Sequence, residues 1–227
     1  MDIRDVVKTA RSVTDRAGFV VSRHQAVLRF ADSGVIRIEQ EQALSDLPHP
    51  LKSGLKIASV TPELLNVAQE RSGLKIYVRK VDVDKKLPTY SYVDVYGDRA
   101  VISYGSSMNL CWRRFSVAKE LMHIYSGTDK SGGVDHASDI VRAAMDSRQV
   151  LEPEGVDLDD ETAAFYMALE VMIPWCLRGQ LLSLRDAGAT SYQIAKAFMV
   201  PEPFVTHFVG VAEAPYADVS RRLNESI

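Results

Sequence analysis

The sequence predicts an α+β protein in which a small antiparallel sheet packs on one buried helix and the C-terminal half is helical. Three observations lead there. β-prone runs flank Gly-containing turns in the first half of the chain. One helical stretch, residues 113–127, is apolar around most of its circumference, as a buried helix is. From residue 138 onward, every regular segment has helical spacing.

In chain order, Ile3, Val6, Val7, Ala10 and Val13 recur at helical spacing and stop before Gly18. The runs AVLRFA and VIRIEQ flank Asp32-Ser33-Gly34 and read as a hairpin. Pro48, Pro50 and Gly54 mark residues 45–54 as a linker. The expected organisation is therefore an N-terminal extension (residues 1–55), a core (56–188) and a C-terminal helical subdomain resembling a helix-turn-helix (189–227). In the core, Thr61 suits an N-cap, Pro62 a first helical position and Gly73 a stop. Residues 74–81 form a strand candidate. Residues 90–96 and 99–104 flank Gly97-Asp98 as a second hairpin. Helices are expected over 138–148, 161–173 (before Pro174) and 175–187 (closed by Gly188). Thr190 and Gln193 form a capping box ahead of two short helices around Val200-Pro201, the second over 203–212.

The composition excludes several function classes. A chain of 227 residues, 46% hydrophobic and 25% charged, buries an ordinary core. A net charge of −3 gives no sign of a global nucleic-acid or acidic-membrane binder. Residues 203–212 contain no Lys or Arg, so this helix offers phosphates nothing, and DNA reading through the helical pair is disfavoured. The opening residues do not form a signal peptide, and no apolar run is long enough to span a bilayer. Cys111 and Cys176 lie far apart in apolar helical contexts and read as free buried thiols. The expected compartment is the cytoplasm.

The chemistry concentrates in RRFSVAKELMHIYSG, residues 113–127. At about 100° per residue, Arg113, Ser116, Lys119, Glu120 and His123 share the polar wedge of an otherwise apolar helix. Lys119 and His123 stand at i and i+4 with Glu120 beside them. That is the layout of H-E-x-x-H, in which two imidazoles bind zinc and the Glu activates a water. Lys119 occupies the first imidazole position. A protonated ammonium has three donors and no lone pair, and its charge repels a divalent ion.

The segment RRFSVAKELMH, the downstream ETAAFYMALEVMIP and the trailing IAKAFMVPEPFV together resemble the ImmA/IrrE family of zinc-metallopeptidase-like proteins, over roughly residues 64–211. The resemblance implies a zincin-like core and, in typical members, cleavage of a repressor-type transcription factor of a prophage, mobile element or stress regulon. It places the general base at Glu120, a His ligand at His123 and the acidic ligand at Glu161. The first His ligand falls on Lys119, and the family's Asn near the start of the downstream helix falls on Phe165. These departures lead to a degenerate member that binds a regulatory protein partner through Lys119 and Arg113 without cutting it, and holds no metal. The alternatives are an active zinc endopeptidase and, less favoured, a DNA-binding regulator. His123 in isolation reads as a core histidine; beside Glu120 it reads as an inherited ligand position. His136, after the Gly/Ser loop, is a candidate replacement ligand against the commoner reading of an exposed loop histidine. Arg113 and Arg114 read as structural, pairing with carboxylates. Glu170 lies on the helix face opposite Glu161 and reads as a surface or helix-contact residue. The acidic run over residues 152–161 reads mostly as a solvated loop and helix start.

Overall fold

Helix α1 (Ile3–Arg16) begins where Asp2 accepts the backbone N–H of Arg4 at 2.6 Å, an N-cap. Its Val6, Val7, Ala10 and Val13 are all buried. These details come from a computed structural model that describes residues 2–16, 62–82, 90–127, 135–136, 160–173 and 178–206. The expected first hairpin, the linker, the 138–148 helix, most of the acidic run and Cys176 lie outside the described residues, as does the helical pair beyond Thr206.

Helix α2 (Pro62–Ser72) starts on its proline and ends at Gly73, whose φ of 72° is a left-handed conformation that suits glycine. The Gln69 side chain then accepts the Ile76 N–H at 3.0 Å and ties the helix to the sheet. Strands β1 (Lys75–Val81), β2 (Tyr90–Tyr96) and β3 (Arg99–Gly105) follow, the last two joined by the tight Gly97-Asp98 turn. A two-residue strand, β4 (Asp135–His136), pairs with the start of β2.

The sheet order is β1-β3-β2-β4. β2 runs antiparallel to β3 and β4, but β1 runs parallel to β3. The expected antiparallel sheet is therefore mixed. Alternation reports which face a residue occupies and not which strand it pairs with. Ile76, Val93, Ala100 and Ile102 are buried and share one face by register. Tyr77 and Tyr96 lie on the other face and are exposed.

Helix α3 (Leu110–Ser126) packs beneath that buried face. Asn109 caps it by accepting the Trp112 N–H at 3.0 Å, and Gly127 closes it at φ 73°. Every residue from Arg114 to Ile124 is buried, polar ones included. Helix α4 (Asp160–Met172) packs against α3 on one side and α1 on another. The apolar residues of α1 thus join the same core as those of α3 and α4. Glu170 is 2% exposed and faces Arg11 of α1 at 3.8 Å, so it is a helix-contact residue and not a surface one.

Helix α5 (Arg178–Asp186) leads to α6 (Ser191–Phe198), where both bonds of the Thr190–Gln193 capping box form. Met199 takes a left-handed turn, and the short α7 (Glu202–Phe204) follows. Phe204 inserts between Trp112, Phe115 and Phe165, with ring centroids 5.3, 4.4 and 5.5 Å away. Among the described residues, no helix is long and apolar enough to cross a membrane.

These rings hold the C-terminal helices to α3. Phe204 is 1% exposed, so truncating it opens a cavity in the core. Phe204→Ala is expected to lower the unfolding free energy by about 3–5 kcal/mol, measured by urea denaturation; a loss of a surface-like few tenths would show that this contact does not anchor the helices.

Candidate functional site

The polar wedge of α3 is buried because the sheet, α2 and α4 enclose the helix. Each polar group there must find a partner inside. Glu120 Oε1 accepts a hydrogen bond from Ser91 Oγ of β2 at 2.8 Å and lies 3.4 Å from Lys119 Nζ. Lys119 Nζ donates to Glu161 Oε2 at 2.7 Å, a short charge-assisted bond. His123 Nε2 approaches the same Oε2 at 3.2 Å, a contact that is attractive when Nε2 carries its proton. Lys119, Glu120, His123 and Glu161 thus meet in one cluster.

Local sequence explains the part of the meeting that lies on α3. Lys119 and His123 are one turn apart and Glu120 adjoins Lys119 on the same wedge. Glu161 sits in the first turn of α4, where the helix dipole favours a carboxylate. The Lys119, Glu120 and His123 side chains are 1%, 4% and 3% exposed; Glu161 is 37% exposed. Solvent therefore reaches the cluster from the Glu161 side.

The donor set does not fit a divalent metal. Glu120, His123 and Glu161 offer lone pairs, but the ammonium of Lys119 already takes up the Glu161 oxygen a metal would share and brings a like charge to the same spot. Among the described residues, no group of three or more His, Cys, Asp or Glu is arranged to hold a metal. Glu120, engaged by both Ser91 and Lys119, is likewise held away from the role of a free base.

Other candidates stand elsewhere. Arg113 donates to the Met108 carbonyl at 3.3 Å and lies over the Tyr104 ring at 5.4 Å. Arg114 is 2% exposed, and among the described residues its Nε has no hydrogen-bond partner. Among the described residues, then, neither arginine shows the expected carboxylate pair; a run of charges announces burial or pairing only through residues distant in sequence. Burial holds the Arg114 guanidinium down to about 10, with the nearby Cys111 opposing the shift. Cys111 is half-buried rather than buried, and burial raises its thiol while Arg114 lowers it. Phe165 packs on Phe115, Tyr166 and Phe204, leaving that position apolar. The β4 backbone places His136 opposite Tyr90; its side chain lies outside the described residues.

Sequence reasoning missed Ser91. A lone serine on a strand carries no signal until the register turns it towards α3. It also missed a cleft of about 390 Å³ beside the cluster. His123 and Tyr125 of α3, Arg71 and Leu74 around the end of α2, and Val93 and Val95 of β2 line it.

Two substitutions test the electrostatics. Lys119→Met strands a nearly buried Glu120 and leaves two carboxylates facing each other. It is expected to cost about 3 kcal/mol, at the low end for a broken buried pair because Glu161 is partly solvated; a cost within about 0.5 kcal/mol, typical of a surface change, would contradict the buried pairing. Arg114→Met removes a desolvated charge and is expected to leave stability unchanged or raise it by about 1 kcal/mol; a large loss in the same denaturation assay would reveal an anionic partner. The chain matches no protein-family model, no curated protein and no solved structure.

Proposed function

We propose that this protein is a zincin-like, non-cleaving regulator of the ImmA/IrrE type, which binds a repressor-type transcription factor or similar regulatory protein in the cytoplasm. The observation that carries this reading is the 2.7 Å bond from Lys119 Nζ to Glu161 Oε2. In a zinc peptidase of this motif the metal would hold the downstream carboxylate to the motif helix. Here an ammonium on that helix performs the holding, and it offers no Lewis acidity and no activated water. Binding then remains as the function of the cleft.

The choice of a protein partner over DNA draws support from the C-terminal helices. Among residues 190–206, Lys196 is the one cation, too little to neutralise a phosphate backbone. Phe204 is turned into the core instead of towards a groove.

Metal analysis of protein purified without added zinc tests the proposal. The expected result is zinc well below stoichiometric amounts and no peptidase activity. Lys119→His restores H-E-x-x-H and is expected to gain zinc binding, read by mass spectrometry and by a zinc-dependent rise in melting temperature. Stoichiometric zinc in the native protein, with hydrolysis abolished by Glu120→Gln, would overturn the proposal in favour of an active zinc endopeptidase using His123 and Glu161.

A further inference from the structure

The buried cluster has one member that solvent reaches. Lys119 Nζ donates to Glu161 Oε2 at 2.7 Å, and His123 Nε2 lies 3.2 Å from the same oxygen. Lys119 is also held from behind by Glu120, which Ser91 fixes in turn. Lys119 therefore keeps part of its support when Glu161 moves, whereas Glu161 stands at the start of α4 with its side chain 37% exposed. His123 also lines the neighbouring cleft, with Leu74, Val93 and Val95 as apolar walls and the Arg71 cation among the lining residues.

We propose that Lys119 and His123 form the floor of a carboxylate-binding site that Glu161 fills from within the chain. An Asp or Glu of a partner protein displaces Glu161 while an adjacent apolar side chain of that partner enters the cleft. This inference rests on the reading that the cluster holds a partner and not a metal.

The exchange is physically balanced. One carboxylate replaces another, so Lys119 keeps its counter-charge in both states. The displaced Glu161 moves into water and stays at a helix N-terminus, where its charge is still favoured. The net gain comes from the apolar surface that the partner buries in the cleft. Selectivity follows from charge. A neutral amide in the same place leaves a buried ammonium with one counter-charge fewer, which an amide oxygen does not replace. The positive Arg71 further favours an acidic segment over a basic one.

Chemical rescue tests the site without knowing the partner. In Glu161→Ala the donors face an open position. Thermal melts in sodium acetate against sodium chloride at equal ionic strength are expected to show a saturable acetate-specific rise, about 3–5 °C at tenfold the dissociation constant. The double variant Lys119→Met with Glu161→Ala is expected to show none. An equal response to chloride, or an undiminished acetate response without Lys119, would overturn the inference. The native protein supplies a second readout that needs no variant. The peptide acetyl-Leu-Glu-amide is expected to shift the His123 ring resonances in NMR spectra, and acetyl-Leu-Gln-amide is expected to leave them in place. No shift with either peptide, or equal shifts with both, would refute displacement of Glu161. Failure here is separable from failure of the functional proposal: zinc in the purified protein sinks that proposal, while a zinc-free protein blind to acetate sinks only this inference.

Discussion

An ammonium group with almost no access to water must be surrounded by negative charge, and the rest of this structure is arranged around that requirement. Lys119 lies mid-helix in α3, where every neighbour from Arg114 to Ile124 is also buried. Its two carboxylates come from different places: Glu120 from the same helix and Glu161 from the start of α4. Unit charges 4 Å apart at an effective dielectric near 20 attract by about 4 kcal/mol. Desolvation costs several kcal/mol per ion, so the pairs come close to cancelling in net stability. What they contribute is geometry. The start of α4 is pinned to the middle of α3, and Glu120 is turned to meet Ser91 of the sheet.

The proposed function rests on the same constraint. Zinc chemistry needs lone pairs directed at one point and a water whose proton is easily lost. The cluster has lone pairs from three residues, but the Lys119 ammonium already lies against the two carboxylates. Such a cluster is the basis of the proposed carboxylate exchange. The cleft beside His123 has apolar walls at Leu74, Val93 and Val95 from which the proposed site would draw affinity, and its lining also includes Arg71. A buried cation next to a partly apolar cleft matches a common plan for recognition, in which polar groups orient a ligand and apolar walls supply the energy.

Much of this was legible in the sequence because it is local. The wedge of α3, the stops at Gly73 and Gly127 and the Thr190–Gln193 capping box depend on residues within a turn or two of each other. The convergence of Glu161 on Lys119 was suggested by resemblance and not by spacing, since 42 residues separate them. Pairings between distant strands were not legible: nothing in the alternation of β1 announces a parallel partner in β3. Ser91 joins the cluster through that same sheet register. Arg113 settles on a tyrosine ring and a carbonyl and Arg114 is buried, with no carboxylate partner of either among the described residues.

The central claim is that a charged Lys119 stands where a zinc peptidase of this motif would place its metal. Nitrogen-detected NMR of the Lys119 side chain at neutral pH tests this most directly. The expected result is a protonated ammonium with slow hydrogen exchange, coupled to the Glu161 carboxylate and unchanged by added zinc. A neutral amine, or an ammonium signal that disappears as zinc binds at the cluster, would contradict it.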